Sequence, residues 1–238
     1  MGLAQQREIE PLYTEEEYLT LEREADERAE YLDGEIYAMA GENPVHGAVS
    51  TNLVGILVAY LRGKPCQTFT KDMKIRSGPL PKNPLYPKGL FSYPDLVIVC
   101  GRMQFLDEYQ DVLVNPTIII EVLSDTTESF DRINKFQRYK TWLPALKDYV
   151  MVSQKQPLVE LFHRHRGGVW HYASVNELSD KLSIPAIKCD LRLAEVYDRV
   201  VFPPMKEAYV ELARRAVPKR KRAKAKMRHA ATPSKKRK

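Results

Sequence analysis

Two runs decide how this chain is read: Ser92–Cys100, SYPDLVIVC, and Pro116–Lys140, PTIIIEVLSDTTESFDRINKFQRYK. Leu96-Val97-Ile98-Val99-Cys100 and Ile118-Ile119-Ile120 with Val122-Leu123 are short and β-branched, bounded by Pro or polar clusters, and so predict buried strands. Asp95 stands at the mouth of the first. Glu121 interrupts the second, and a carboxylate inside an apolar run is costly unless something compensates its charge. Two such acids on neighbouring strands point to a shared divalent cation. Hard oxygen ligands without a nearby Cys favour Mg²⁺ or Mn²⁺ over zinc, and the backbone carbonyl of Val122 offers a further oxygen. Lys135 follows on a helix expected over Ser129–Trp142, with Asp131 one turn before it and Tyr139 one turn after on the same face. Phe130, Ile133, Phe136 and Tyr139 form the expected apolar stripe of that helix.

Outward from this stretch, Thr14–Ala29 reads as a surface helix capped by Thr14. Ala29–Gly41 reads as a hairpin turning at Asp33-Gly34, with Glu35 the first residue after the turn. Asn43 and Pro44 open a long helix with Val45, Val49, Leu53, Ile56, Leu57 and Tyr60 on one stripe, and His46 in its first turn. A helix N-terminus lowers the pKa of a first-turn histidine, so His46 is expected with a lowered pKa that opens the neutral form to it. Cys66–Arg76 alternates like one strand. Ser77–Tyr93 carries four prolines, is expected to hold no regular structure, and is placed as one wall of a cleft. Asp148–Ser153, Leu158–His163 and Val169–Ser174 alternate as strands, Leu191–Tyr197 as a short helix, with another helix after Pro203-Pro204. His163, His165 and His171 read as an exposed hairpin, with no carboxylate in ligand spacing.

The chain has 238 residues and a net charge of +6, but the charge is unevenly placed. Residues 214–238 hold 13 Lys or Arg and no acid, leaving 24 basic against 31 acidic residues in 1–213. The expected organisation is therefore one domain over 1–213 and a disordered basic tail over 214–238. Such a tail suits phosphates through counterion release, without sequence specificity. No run of about 18 apolar residues and no signal-peptide core stand out, so a soluble cytoplasmic protein is expected. Cys66, Cys100 and Cys189 are scattered and read as packed, reduced thiols.

The order YLDGE, H, PD, IIIEVLS, DRxxKxxxY resembles the Uma-two (Uma2) family of endonucleases, within the PD-(D/E)XK superfamily, over residues 14–198. The resemblance implies an α/β, restriction-endonuclease-like mixed sheet flanked by helices. It implies Mg²⁺-dependent hydrolysis of DNA phosphodiester bonds, and it allows a homodimer so that both strands are cut. Asp95 and Glu121 match the two metal-binding acids. The superfamily lysine two residues after the second acid is here Leu123; Lys135 matches a displaced lysine. Glu35 matches the upstream acid, His46 the histidine, and Ser124 the polar residue just past the second acid. Two other functions fit the same residues. One is a nuclease fold that binds nucleic acid without cutting it. The other is a metal-dependent hydrolase of a small phosphorylated substrate, with an incidental tail.

Overall fold

The computed structural model describes residues 12–39, 41–79 and 88–202. The described residues up to Val200 form one compact unit; of 201–238 only Val201 and Phe202 are described. The basic tail, the boundary at 213/214 and the helix expected after Pro203-Pro204 lie outside the described residues.

Helix α1 (Glu15–Glu24) begins in a reciprocal capping box, in which Thr14 Oγ1 accepts the Glu17 amide and Glu17 accepts from Thr14. It ends five residues before the expected Ala29, because Ala25 turns extended and Ala29 enters the next strand. β1 (Ala29–Leu32) and β2 (Glu35–Ala38) form the expected hairpin. Asp33 and Gly34 have φ of 51° and 103°, the left-handed backbone that a two-residue turn demands. In α2 (Pro44–Leu61) Asn43 Oδ1 accepts the amides of Val45 and His46, and Pro44 occupies the first turn, where no amide is missed. By length and composition, with a mean hydropathy of 1.4, α2 could cross a bilayer. Here it buries Val49, Leu53, Leu57 and Leu61, and it packs on strands of the sheet.

The single strand expected over Cys66–Arg76 is two: β3 (Cys66–Thr70) and β4 (Lys74–Ser77). A turn closed by Met73 N–H donating to Thr70 O separates them and sends them to different sheets. β5 (Leu90–Ser92) forms inside the segment expected to be irregular. The last proline there is Pro87, so Leu90–Ser92 keep their amide donors and pair with β1 and β4. Residues 80–87, the heart of the expected cleft wall, lie outside the described residues. The chain continues through β6 (Leu96–Cys100), β7 (Val112–Leu113) and β8 (Ile118–Leu123). The next helix runs as α3 (Glu128–Phe130), a π-helical turn (Asp131–Lys135) and α4 (Phe136–Trp142). The wide turn takes Ile133 out of the expected stripe, and its side chain is exposed. β9 (Asp148–Ser153), β10 (Val159–Arg164) and β11 (Trp170–Val175) follow as expected. The pair β12 (Lys181–Ile184) and β13 (Cys189–Arg192) was not anticipated; α5 (Leu193–Val196) closes the unit.

A five-stranded sheet has the order β2-β1-β5-β4-β7 and a six-stranded sheet β11-β10-β9-β8-β6-β3. The β8–β9 and β4–β7 pairs are parallel and the others antiparallel, so both sheets are mixed, with helices against them. Alternation along β6 and β8 sends Val97, Val99, Ile119 and Leu123 into a core with Ile75, Leu90, Phe136, Tyr139, Tyr149 and Met151. That core is where the two sheets and α4 meet. A satellite cluster of Tyr18, Leu19, Tyr31, Phe91 and Val112 seats α1.

Cys66 and Cys100 are joined by a disulfide, contrary to the expectation of reduced thiols. They face each other in the β3–β6 register with Cα atoms 4.0 Å apart, a proximity that 34 residues of separation conceal. Cys189 is a buried free thiol, as expected.

Candidate active site

Pairing of Leu96 with Ile120 and of Val97 with Ile119, carried one step further, sets Asp95 opposite Glu121. Both acids then share the face that carries Val97, Ile119 and Leu123. Asp95 Oδ2 accepts the Val122 amide at 2.7 Å, which ties the strand mouth to β8. Glu121 is buried, with its side chain 4 % exposed.

The π turn brings Asp131 and Lys135 over this face, both buried. Lys135 Nζ lies 3.1 Å from Asp131 Oδ1, 3.4 Å from Glu121 Oε1 and 3.5 Å from Glu30 Oε1. Tyr139 donates to Glu121 Oε1 at 3.4 Å and exchanges a 2.9 Å hydrogen bond with Ser92 Oγ. Glu30, on β1, also accepts the Tyr93 amide at 3.1 Å. The Tyr149 hydroxyl donates to the Asp131 carbonyl, anchoring the turn from β9. π turns of this kind recur where a helix must aim side chains at a site.

Burial pushes the Glu121 carboxyl well above its usual range, and Asp131, Asp95 and Glu30 push it further, against the pull of Lys135. Burial works against the Lys135 ammonium, but Glu121, Tyr139, Glu30 and Asp131 outweigh it and hold the amine charged. His46 lies 3.2 Å from Asp95 Oδ1 through Nε2 and 3.2 Å from Glu42 Oε2 through Nδ1. Burial alone would lower its pKa, yet Asp95 and then Glu42 raise it overall. This corrects the expected lowered pKa: the two carboxylates outweigh burial.

Two of the expected residues, Glu35 and Ser124, stand apart from this cluster. Glu35 is exposed on β2, accepts from Tyr37 and does not join Lys135; the hairpin acid that does is Glu30. Ser124 turns to Thr126 and Thr127 and accepts the Thr127 amide, closing the loop before α3. Val122 reaches the cluster through its amide. Glu30, Ser92 and Tyr93 were missed. A signal for Glu30 existed, because alternation in β1 puts it on the face opposite the buried Tyr31 and alongside Leu32.

Among the described residues, no three His, Cys, Asp or Glu groups stand close enough, as placed, to hold a metal ion. The donor chemistry nevertheless fits a hard divalent cation. Asp95, Glu121, Asp131 and Glu30 outnumber the one lysine among them. Asp131 Oδ1 is buried and misaligned for any hydrogen bond, despite its closeness to Lys135.

Comparison with known proteins agrees with this architecture. The chain is 29 % identical over 192 residues to the uncharacterized protein slr1290 of Synechocystis, covering 81 % of this chain and 95 % of that one. It is 29 % identical over 159 residues to a second uncharacterized Synechocystis protein, sll1609, covering 67 % and 85 %. The fold is shared with the crystal structure of "a putative nuclease belonging to DUF820" from Anabaena variabilis. That match has a TM-score of 0.62 and 14 % identity, and covers 79 % of this chain and 99 % of that one. Residues 15–195 match the Uma2 family, described as "Putative restriction endonuclease". The chain, with its mixed α/β, restriction-endonuclease-like fold, belongs to the Uma2 family of nucleases.

Proposed function

We propose that this protein is a Mg²⁺- or Mn²⁺-dependent endonuclease that hydrolyses DNA phosphodiester bonds in the cytoplasm. The observation that carries the reading is the buried meeting of Glu121, Asp131 and Glu30 around Lys135, with Asp95 opposite Glu121 on the neighbouring strand. Asp95 and Glu121, with the Val122 carbonyl, would hold the ion. When bound, it lowers the pKa of a water and polarises a phosphoryl oxygen.

The chain's own residues do the rest. Lys135, kept charged by three acids, offsets negative charge developing on the attacked phosphate and orients the attacking water. Asp131 and Tyr139 fix where that ammonium and Glu121 stand. His46 holds Asp95 from α2, leaving its other oxygen on the Val122 amide. Glu30, rather than Glu35, supplies the third acid. The tail, residues 214–238, adds affinity for the phosphate backbone, and pairing of two copies would place one site on each strand.

The test is plasmid nicking with Mg²⁺, Mn²⁺ or EDTA. Asp95→Asn and Glu121→Gln are expected to abolish metal-dependent nicking in folded protein; nicking that survives both overturns the assignment. A second reading, a nuclease fold that binds but does not cut, is favoured by Leu123. It packs in the core where the superfamily lysine would stand. Calorimetry with Mn²⁺ separates the two, since a lapsed site gives no heat that depends on Asp95.

A further inference from the structure

On the side of the same sheet beyond β8, one row of side chains crosses three strands: Asp148 on β9 pairs with His163 on β10, which pairs with His171 on β11. Residues facing each other in antiparallel strands share a face, and His165, two residues beyond His163, shares it too. The His163 and His165 ring centroids are 4.6 Å apart, and those of His165 and His171 are 4.1 Å apart. Gly167 and Gly168, with φ of 85° and 81°, make the tight turn that brings the two arms into this register.

We propose that this hairpin is a second metal site, taking a borderline transition ion such as Zn²⁺ through His163, His165 and His171. It is independent of the acid cluster. Three neutral imidazoles with an open fourth position are a recurring donor set for zinc, at Zn–N of about 2.0–2.1 Å. The decisive feature is Asp148. Its Oδ1 lies 2.5 Å from His163 Nδ1, which occupies that nitrogen and leaves Nε2 as the one to face an ion. A carboxylate behind a ligating histidine is the usual support of such ions, and Asp148 is itself fully buried and pinned through Oδ2 by the Ala186 amide.

As placed, the rings lie against one another rather than around a point. His165 and His171 are exposed, and exposed rotamers turn within nanoseconds. Arg164 does not oppose the ion, because its guanidinium is engaged by the carbonyls of Lys140, Leu143 and Pro144. Arg166 in the turn is the nearby cation the ion would have to tolerate.

The experiment is calorimetric titration of the untagged full chain with Zn²⁺ alone, on an Asp95→Asn background that separates this site from the acid cluster. One ion per chain is expected. His165→Ala and His171→Ala, both at exposed positions, are expected to weaken it at least tenfold without loss of folding. Asp148→Asn is expected to weaken it about 10–100-fold, the usual effect of removing such a support. Absence of zinc binding on this background, or binding indifferent to both histidine changes, overturns the proposal and leaves the nuclease reading untouched.

Discussion

Glu30 and Glu35 lie on one face of the same hairpin, since Glu30 pairs with Tyr37 and Leu32 with Glu35. Only Glu30 reaches Lys135. Glu30→Gln is therefore expected to lower metal-dependent nicking by about tenfold or more, the lower range for losing a group that supports a metal site. Glu35→Gln should stay close to the parent in the same assay. Lys135→Met removes the ammonium and leaves three acids facing one another in a buried space. Stripping one partner from a buried pair costs roughly 3–5 kcal/mol, so a clear fall in the urea midpoint is expected. Mg²⁺ should restore part of it, because a divalent ion can take over the neutralisation. At this scale Glu121 was legible in the sequence, since no solvated reading explains a carboxylate between Ile120 and Val122. Glu30 was not. A glutamate in an alternating strand looks like any solvent-facing residue until Lys135 arrives from the far end of the chain.

Asn43 serves two elements at once. Its Oδ1 caps α2, and its Nδ2 donates to Gln154 Oε1 at 2.8 Å, just past β9. Asn43→Ala is expected to cost about 1–2 kcal/mol in chemical denaturation, and to loosen His46 from Asp95, seen as a change in the His46 titration by NMR. Elements with a strong local signal were legible. β6 and β8 are dense in β-branched residues, and the Asp33-Gly34 turn has one common solution. The break between β3 and β4 was hidden, because Lys71-Asp72-Met73 contains no Gly or Pro to mark it. β12 and β13 are four residues each, too short for alternation to stand out. The disulfide and the π turn were equally hidden. Both are set by what another element presents, not by local propensity.

Residues 1–213 are acidic on balance and residues 214–238 strongly basic. Deleting residues 214–238 is expected to weaken DNA binding at low salt and to flatten the plot of log affinity against log salt. Turnover of a small phosphodiester should be unaffected. Fluorescence anisotropy across a salt series checks the first, and a chromogenic diester the second. A persistent steep slope would move the phosphate contacts onto residues 1–213. The helix over the candidate site has a consequence for the family's history. Its extra residue sits between the part that carries Asp131 and the part that carries Tyr139, with Phe136 N–H donating back to Asp131 O. Loss of a single codon there would restore ordinary winding and swing everything downstream by about 100°. Phe136 and Tyr139 would then leave their aromatic partners at the same stroke as the amine left its acids. An in-frame deletion of one residue would thus silence the site and loosen the core together, so descendants that shed the activity are expected to keep this turn and lose a charge instead.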